Sequence, residues 1–299
     1  MTPSRADAYT RITDEIAATI EAGAGNWKMP WHHDGRATSR PLNVASSRYY
    51  RGINVLLLWA AANAAGFAEG VWGTYRQWQA EGAQVRKGEH GSTVVLWKPF
   101  ERGDARDDGE QEDRGRRGVY ARCFTVFNAA QVDGYESEPV PQIDEATRYA
   151  HADSFVANLG IDCEFGGDRA FYSPHIDRVQ MPHFRQFKDA LSFYGTLLHE
   201  HGHASGARHR LNRDLTGSFG SATYAAEEIC VEILSGFLLA DLGLAYHPRA
   251  DHAAYVASWL KALRGDPRAI FTAASKAQLA ADWMHAQQPG TAELVAHAA

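Results

Sequence analysis

The sequence has little cysteine, no long apolar run and no excess of positive charge, and each shortage closes off a class of protein. Its 299 residues hold three cysteines, Cys123, Cys163 and Cys230. The number is odd and none falls in a C-x-x-C pair, so reduced thiols in a cytoplasmic protein are expected rather than a disulfide framework. No stretch approaches the ~18 consecutive apolar residues of a membrane span. The opening "MTPSRADAYTRITDEIAATIEAG" is acidic and amphipathic with no apolar core, which excludes a signal peptide. The formal net charge of −6 does not suit a chain that binds nucleic acid through bulk positive charge. Helix-turn-helix, zinc-finger and basic-region spacings for reading a major groove are missing too.

What is present falls into two parts. The length suggests about two domains at ~150 residues each, and Pro and acidic residues in "YESEPVPQIDE" mark the boundary, giving domains 1–140 and 141–299. The first part reads as a helix over 3–22, an irregular segment, a buried helix "INVLLLWAAANAAG", a short helix "TYRQWQAEG", and strands "TVVLWK" and "VYARCFTVFN". Between the strands lies "PFERGDARDDGEQEDRGRRG", a mobile charged loop at about 100–118 with almost nothing to bury. The second part reads as a helix over 144–159, short strands ending in the edge strand "RVQMP", a long helix "FRQFKDALSFYGTLLHEHGHASG", and a helix "YAAEEICVEILSGFLLADLG". Two more helices follow, near 248–264 and 267–286. The fold class is α+β: an α+β first domain, then a mostly helical domain with a small sheet.

Charge is uneven. Residues 1–98 carry eleven basic and eight acidic side chains, and six of the eight tryptophans lie there. Aromatic faces stack on unpaired bases while Lys and Arg track phosphates, a combination suited to single strands. The candidates for contact are Trp27, Lys28, Trp31, Arg48, Tyr49, Arg51, Arg86 and Lys87. Trp59, on an apolar helix, reads as core. Trp72 and Trp78 fit core and surface equally well.

Residues 199–203 read "HEHGH". On a helix, positions i and i+4 share a face, so His199 and His203 point together as two ligands of one ion. His201, about 200° from His199, cannot join them. Glu200 is about 100° round, where it reaches a metal-bound water without ligating the metal. This is the H-E-x-x-H arrangement of zinc peptidases. The preceding "ALSFYGTLL" is apolar at helical spacing, and burying two imidazoles and a carboxylate without a partner is costly. A third ligand is needed. The next helix offers Glu227, Glu228 and Glu232. Glu228 and Glu232 share a face, so Glu228 is the expected ligand and Glu232 the residue that orients a histidine from behind, while Glu227 is expected to face solvent. The cofactor is Zn2+ or another divalent transition metal, the base Glu200, and the fitting chemistry amide hydrolysis. Tyr224 and His209 are candidates for stabilising the oxyanion.

At these residues the sequence resembles the ArdC-type antirestriction proteins of conjugative plasmids. The resemblance runs through "NWKMPWHHDGRATSRPLNVASSRYYRGINVLLLW", "VRKGEHGSTVVLWKPF" and "CFTVFNAAQVDG". It continues in "FYSPHIDRVQMPHF", "SFYGTLLHEHGHASG", "RLNRDL" and "YAAEEICVEILSGFLL". It covers about residues 5–285, and its first module is similar to that of some plasmid-transferred primases. It implies a domain that binds single-stranded DNA followed by a zincin-like metallopeptidase domain, acting on DNA that enters a recipient cell as a single strand. The family's motif maps onto His199, Glu200 and His203, and the resemblance implies a third ligand from the following acidic helix, at Glu228. The E-x-x-x-N asparagine position of similar stress-response zincins is Glu232 here. One departure is Ala207, where many relatives have histidine; His209 lies two residues on.

Three readings follow. A competent metallopeptidase that binds single-stranded DNA is favoured by Glu200, which a purely structural site does not need. The second is protection by masking DNA alone, beside a non-catalytic zinc domain. The third is a metalloenzyme whose N-terminal tryptophans bind a protein. A protein substrate, perhaps from the host restriction system, belongs to the first; no membrane partner is expected.

Overall fold

The computed structural model describes residues 9, 10, 13, 14, 40–100, 118–137, 143–218, 220–244 and 264–290. The helix expected over 3–22 (but for four residues), all but the ends of the charged loop, Trp27, Lys28 and Trp31, and nearly all of the helix expected over 248–264 lie outside the described residues.

In chain order the first half runs β1 (Leu42–Asn43), α1 (Ile53–Ala65), β2 (Val71–Gly73), α2 (Tyr75–Ala80), β3 (Gln84–Val85), β4 (Ser92–Phe100), β5 (Gly118–Asn128) and β6 (Val132–Asp133). The second half runs α3 (Glu145–Ala157), β7 (Asp162–Phe165), β8 (Phe171–Ser173), β9 (Arg178–Met181), α4 (Ala190–Ser205), α5 (Ala222–Asp241) and α6 (Ala269–Ala286). The result is the mixed helix-and-sheet fold that the sequence predicts.

β4 and β5 form a long antiparallel hairpin in a sheet ordered β1-β2-β5-β4. α1 docks on it through Asn54, whose side-chain amide donates to the Val95 carbonyl (2.8 Å) and accepts from the Val95 N–H (2.7 Å). A side chain thereby takes the place of a neighbouring strand and satisfies both backbone groups. Gly66, with φ 69°, ends α1 in the left-handed conformation that suits glycine.

Trp72 and Trp78 are 1% and 0% exposed. The Trp78 indole N–H donates to the Phe127 carbonyl at 3.0 Å, as a buried indole must find a partner. Both are core, as is Trp59.

The second-half sheet corrects one expectation. The strand "RVQMP" is not an edge: β9 lies between β7 (parallel) and β8 (antiparallel). Its alternate residues Val179 and Met181 are fully buried, and Pro182 falls just past the ladder, where it removes no inter-strand bond. The long helix also begins later than its hydrophobic pattern suggests. Phe184–Gln186 form a single 3-10 turn, and Asp189 then caps α4 by accepting from the Ser192 N–H at 2.7 Å.

One apolar cluster joins the two halves. It contains Leu56 and Trp59 of α1, Val95 of β4, Leu198 of α4, Phe237 of α5 and Ala277 of α6. α4 and α5 meet closely because of Gly202, where a Cβ would come within 3.2 Å of the Val231 Cβ and 3.3 Å of Leu234 Cδ2.

Candidate metal centre

Close packing of α4 on α5 assembles the site. His199 and His203, one turn apart on α4, present ring centroids 4.9 Å from each other. Both Nε2 atoms face one carboxylate of α5: Glu228 lies 3.6 Å from His199 Nε2 and 3.4 Å from His203 Nε2. One donor atom from each of the three residues falls within 4.8 Å of the other two.

Each imidazole is held from behind as well. His199 Nδ1 lies 3.2 Å from Glu232, and His203 Nδ1 lies 3.4 Å from Glu227. A carboxylate within this reach of Nδ1 can take its N–H and leave Nε2 as the lone-pair atom, the orientation a ligating histidine needs. Glu232 stands on the Nδ1 side of His199. Glu227 does not face solvent as expected. It is buried, because Arg213 folds back over it, with Nε 3.0 Å and Nη2 2.8 Å from its carboxylate oxygens. Arg213 also donates to the Ser205 hydroxyl at 2.9 Å and the Gly202 carbonyl at 2.6 Å. It thereby ties the loop between the helices to the end of α4. Reading α5 by itself misses this residue. The available signal is its place in "RLNRDL", a charged segment between two buried helices.

The electrostatics favour a cation. Burial opposes protonation of His203, but the Glu227 and Glu228 carboxylates outweigh it and lift its pKa to about 10. Burial would raise Glu228, yet the two imidazoles hold it well below the usual carboxylate range. Three glutamates, one of them paired with Arg213, surround the two histidines, and donors of N, N and O type suit Zn2+ or a similar divalent ion. The residues present therefore fit a metal.

The remaining candidates are distributed as follows. Glu200 is buried beside His199 on α4. His201 is fully buried, its Nδ1–H donating to the Leu197 carbonyl at 2.8 Å, and burial pushes its pKa down to about 4. It packs away from the two ligand candidates. His209 is largely exposed, with Nε2 3.2 Å from Asp177. Asp177 also accepts from Arg210 and Tyr172, so His209 belongs to a surface ion cluster. Tyr224 stands half-buried in the first turn of α5.

Of the described DNA candidates, Arg48 and Tyr49 are exposed just past the turn after β1, Tyr49 with 58% of its surface open and its backbone bridged to Leu42. Arg51 pairs with Asp282 of α6. Lys87 is exposed. Arg86 is engaged by the carbonyls of Ala130 and Val132 and by Glu89, so it pins β3 to β6.

Comparison with known proteins agrees over both halves. The model for the N-terminal domain of anti-restriction factor ArdC matches residues 6–127, and that for a zincin-like metallopeptidase matches residues 150–276. The protein y4eC of Sinorhizobium fredii (strain NBRC 101917 / NGR234) is 59% identical over 284 residues, which is 94% of this chain and 92% of that one. The DNA primase TraC of Escherichia coli is 37% identical across 92% of this chain, which spans only 27% of the primase. The metal-free crystal structure of the antirestriction ArdC protein from plasmid R388 superposes with TM-score 0.77 at 39% identity, covering 94% of this chain and 97% of that one. Its Mn(II)-bound crystal structure gives 0.76 at 38% identity, with 95% and 99% covered.

Proposed function

This chain belongs to the ArdC family of antirestriction proteins, and we propose that it protects single-stranded DNA entering a cell by conjugation from host restriction. In this reading residues 1–140 bind the strand, residues 141–299 carry a divalent-metal site of peptidase type, and the protein acts in the cytoplasm. The observation that carries it is the convergence of His199, His203 and Glu228 with a further carboxylate behind each imidazole.

His199, His203 and Glu228 would hold the ion, with Zn2+ the best match to the donor set and Mn(II) supported by the Mn(II)-bound structure of the R388 relative. When bound, such an ion supplies Lewis-acid polarisation of a carbonyl and lowers the pKa of water. Glu200 takes a proton from the attacking water and passes it to the leaving amine. Glu232 and Glu227 keep each imidazole in one tautomer and orientation, and Arg213 keeps Glu227 ionised and in place. The substrate would be a protein, with the host restriction system as its source.

The alternative is protection by masking DNA, with the metal domain non-catalytic. Glu200 favours the peptidase reading, since a buried carboxylate next to the ligands has no part in a structural site. A mating assay into a restricting host tests both. Glu200→Ala is expected to lose protection while retaining metal. Undiminished protection by that variant, or by residues 1–140 alone, would transfer the function to DNA masking.

A further inference from the structure

The basic and aromatic side chains expected to contact DNA come from the first half, but a cavity in the fold draws such residues from both halves. It measures about 580 Å3 and opens between the start of α1 and one face of α6. Its lining includes Arg51, Arg268, Lys276, Tyr9, Trp97 and Phe271 and, among the described residues, no Asp or Glu. Small-ligand sites occupy roughly 300–1,000 Å3, so one nucleotide unit fits. Tyr9 stacks on Trp97 with centroids 5.2 Å apart and meets Phe271 edge-on at 4.7 Å, and the half-buried Trp97 and Phe271 meet edge to face at 6.1 Å. The Arg268 guanidinium stands 5.4 Å from the Tyr9 ring centre.

We propose that this cavity is a nucleotide site for single-stranded DNA, in which Arg268 and Lys276 meet the phosphate and the aromatic wall of Tyr9, Trp97 and Phe271 meets the base. The inference rests on the single-strand reading above and goes beyond it by placing two of the contacting cations on or beside α6. Arg51 already has Asp282 as a partner, so the charge available to a phosphate is that of Arg268 and Lys276, both exposed. The backbone helps. Gly52 precedes α1 with φ 56° and ψ −131°, a conformation suited to glycine, and no side chain caps the helix. Gly52, Ile53 and Asn54 all line the cavity, so the positive end of the α1 dipole adds to the same field. A second cavity, of about 550 Å3 beside Arg86 and Lys87, lacks these properties: Glu89 and Asp133 line it, and Arg86 is committed to carbonyls.

The test is fluorescence anisotropy of a labelled oligothymidylate with the full-length chain across a salt series. The charge-reversed pair R268E/K276E is expected to bind at least tenfold more weakly. Its slope of log K against log salt should become shallower by about 0.7, because the site neutralises one phosphate and each phosphate neutralised on a single strand accounts for ~0.7 of that slope. The conservative pair R268K/K276R should bind within a few-fold of the unaltered chain. Thymidine monophosphate should compete, and inorganic phosphate alone should compete far less. Should R268E/K276E misfold by its unfolding curve, R268Q/K276Q gives the same comparison. A folded charge-altered pair that binds as tightly as the unaltered chain overturns the site but leaves single-strand binding intact. No binding by the unaltered chain at low salt overturns both. Equal competition by phosphate and by the nucleotide overturns the role of the aromatic wall.

Discussion

The candidate metal centre and the N-terminal half treat charged and aromatic side chains in opposite ways. Between α4 and α5, Glu227, Glu228, Glu232, His199 and Arg213 are carried into the interior, and each faces a group of opposite or complementary charge. In the N-terminal half most of the described cations stay at the surface, while Trp59, Trp72 and Trp78 go inside. A carboxylate is expensive to bury unless its partner arrives with it, whereas an indole needs one hydrogen bond for its N–H. Clustering of tryptophan with arginine in a sequence is therefore weak evidence for a binding face, and clustering of glutamate opposite histidine is strong evidence for a site.

That contrast can be broken at several points. Trp78→Ala should cost the most, about 3–5 kcal/mol by the usual penalty for emptying a large buried site. Denaturant unfolding measures it, and oligonucleotide affinity of the folded fraction should hold. A drop in affinity at unchanged stability would return Trp78 to the surface class.

Arg213→Ala strands the buried Glu227 carboxylate and should cost about 3 kcal/mol, in the range for breaking one side of a buried ion pair. Arg213→Lys should restore only part of this, since a lysine cannot make the paired contacts of a guanidinium. Stability indistinguishable from that of the unaltered chain would mean that the loop over α4 contributes nothing to the site.

Glu227→Gln keeps the shape but removes the charge behind His203. Metal affinity, followed by competition with a chelator, should fall about 10- to 100-fold. Unaltered affinity would leave Glu227 as a structural partner of Arg213 only.

The smallest effect is expected in the exposed ion cluster. Burial tends to raise the Asp177 pKa, but hydrogen bonds from Arg210 and Tyr172 outweigh it and the value is lowered. Its stabilisation is therefore present above the ordinary aspartate value of 3.8 and is lost as pH falls through the lower folded value. Solvent screening keeps it below about 1 kcal/mol. Asp177→Asn should be slightly less stable than the unaltered chain at pH 7, and the gap should close in acid. A gap that persists at pH 2 would assign the effect to packing.

Much of this architecture is legible in the residue pattern. The apolar repeat of "INVLLLWAAANAA", the β-branched run of "TVVLWK" and the four-residue spacing of His199 and His203 each report a local period, and a local period survives any tertiary arrangement. The placement of β9 is not legible, because alternation tells which face is buried and not how many neighbours a strand has. The burial of Glu227 escapes the sequence for a related reason: its helical angle puts it off the Glu228 face, but the partner that buries it lies 14 residues back in a loop. Arg86 resembles a phosphate contact until the β3–β6 pair supplies carbonyls within its reach.

By itself the sequence pointed to the helices seen among the described residues, the α+β class and the pair of histidines with Glu200 beside them, since these follow from spacing along one element. Only the tertiary structure decided that Glu227 turns inward behind His203, that Arg213 covers it, and that Gly202 lets α5 come close enough for these contacts. Those outcomes depend on the approach of two helices whose contact is set by side-chain volume at positions far apart in the chain.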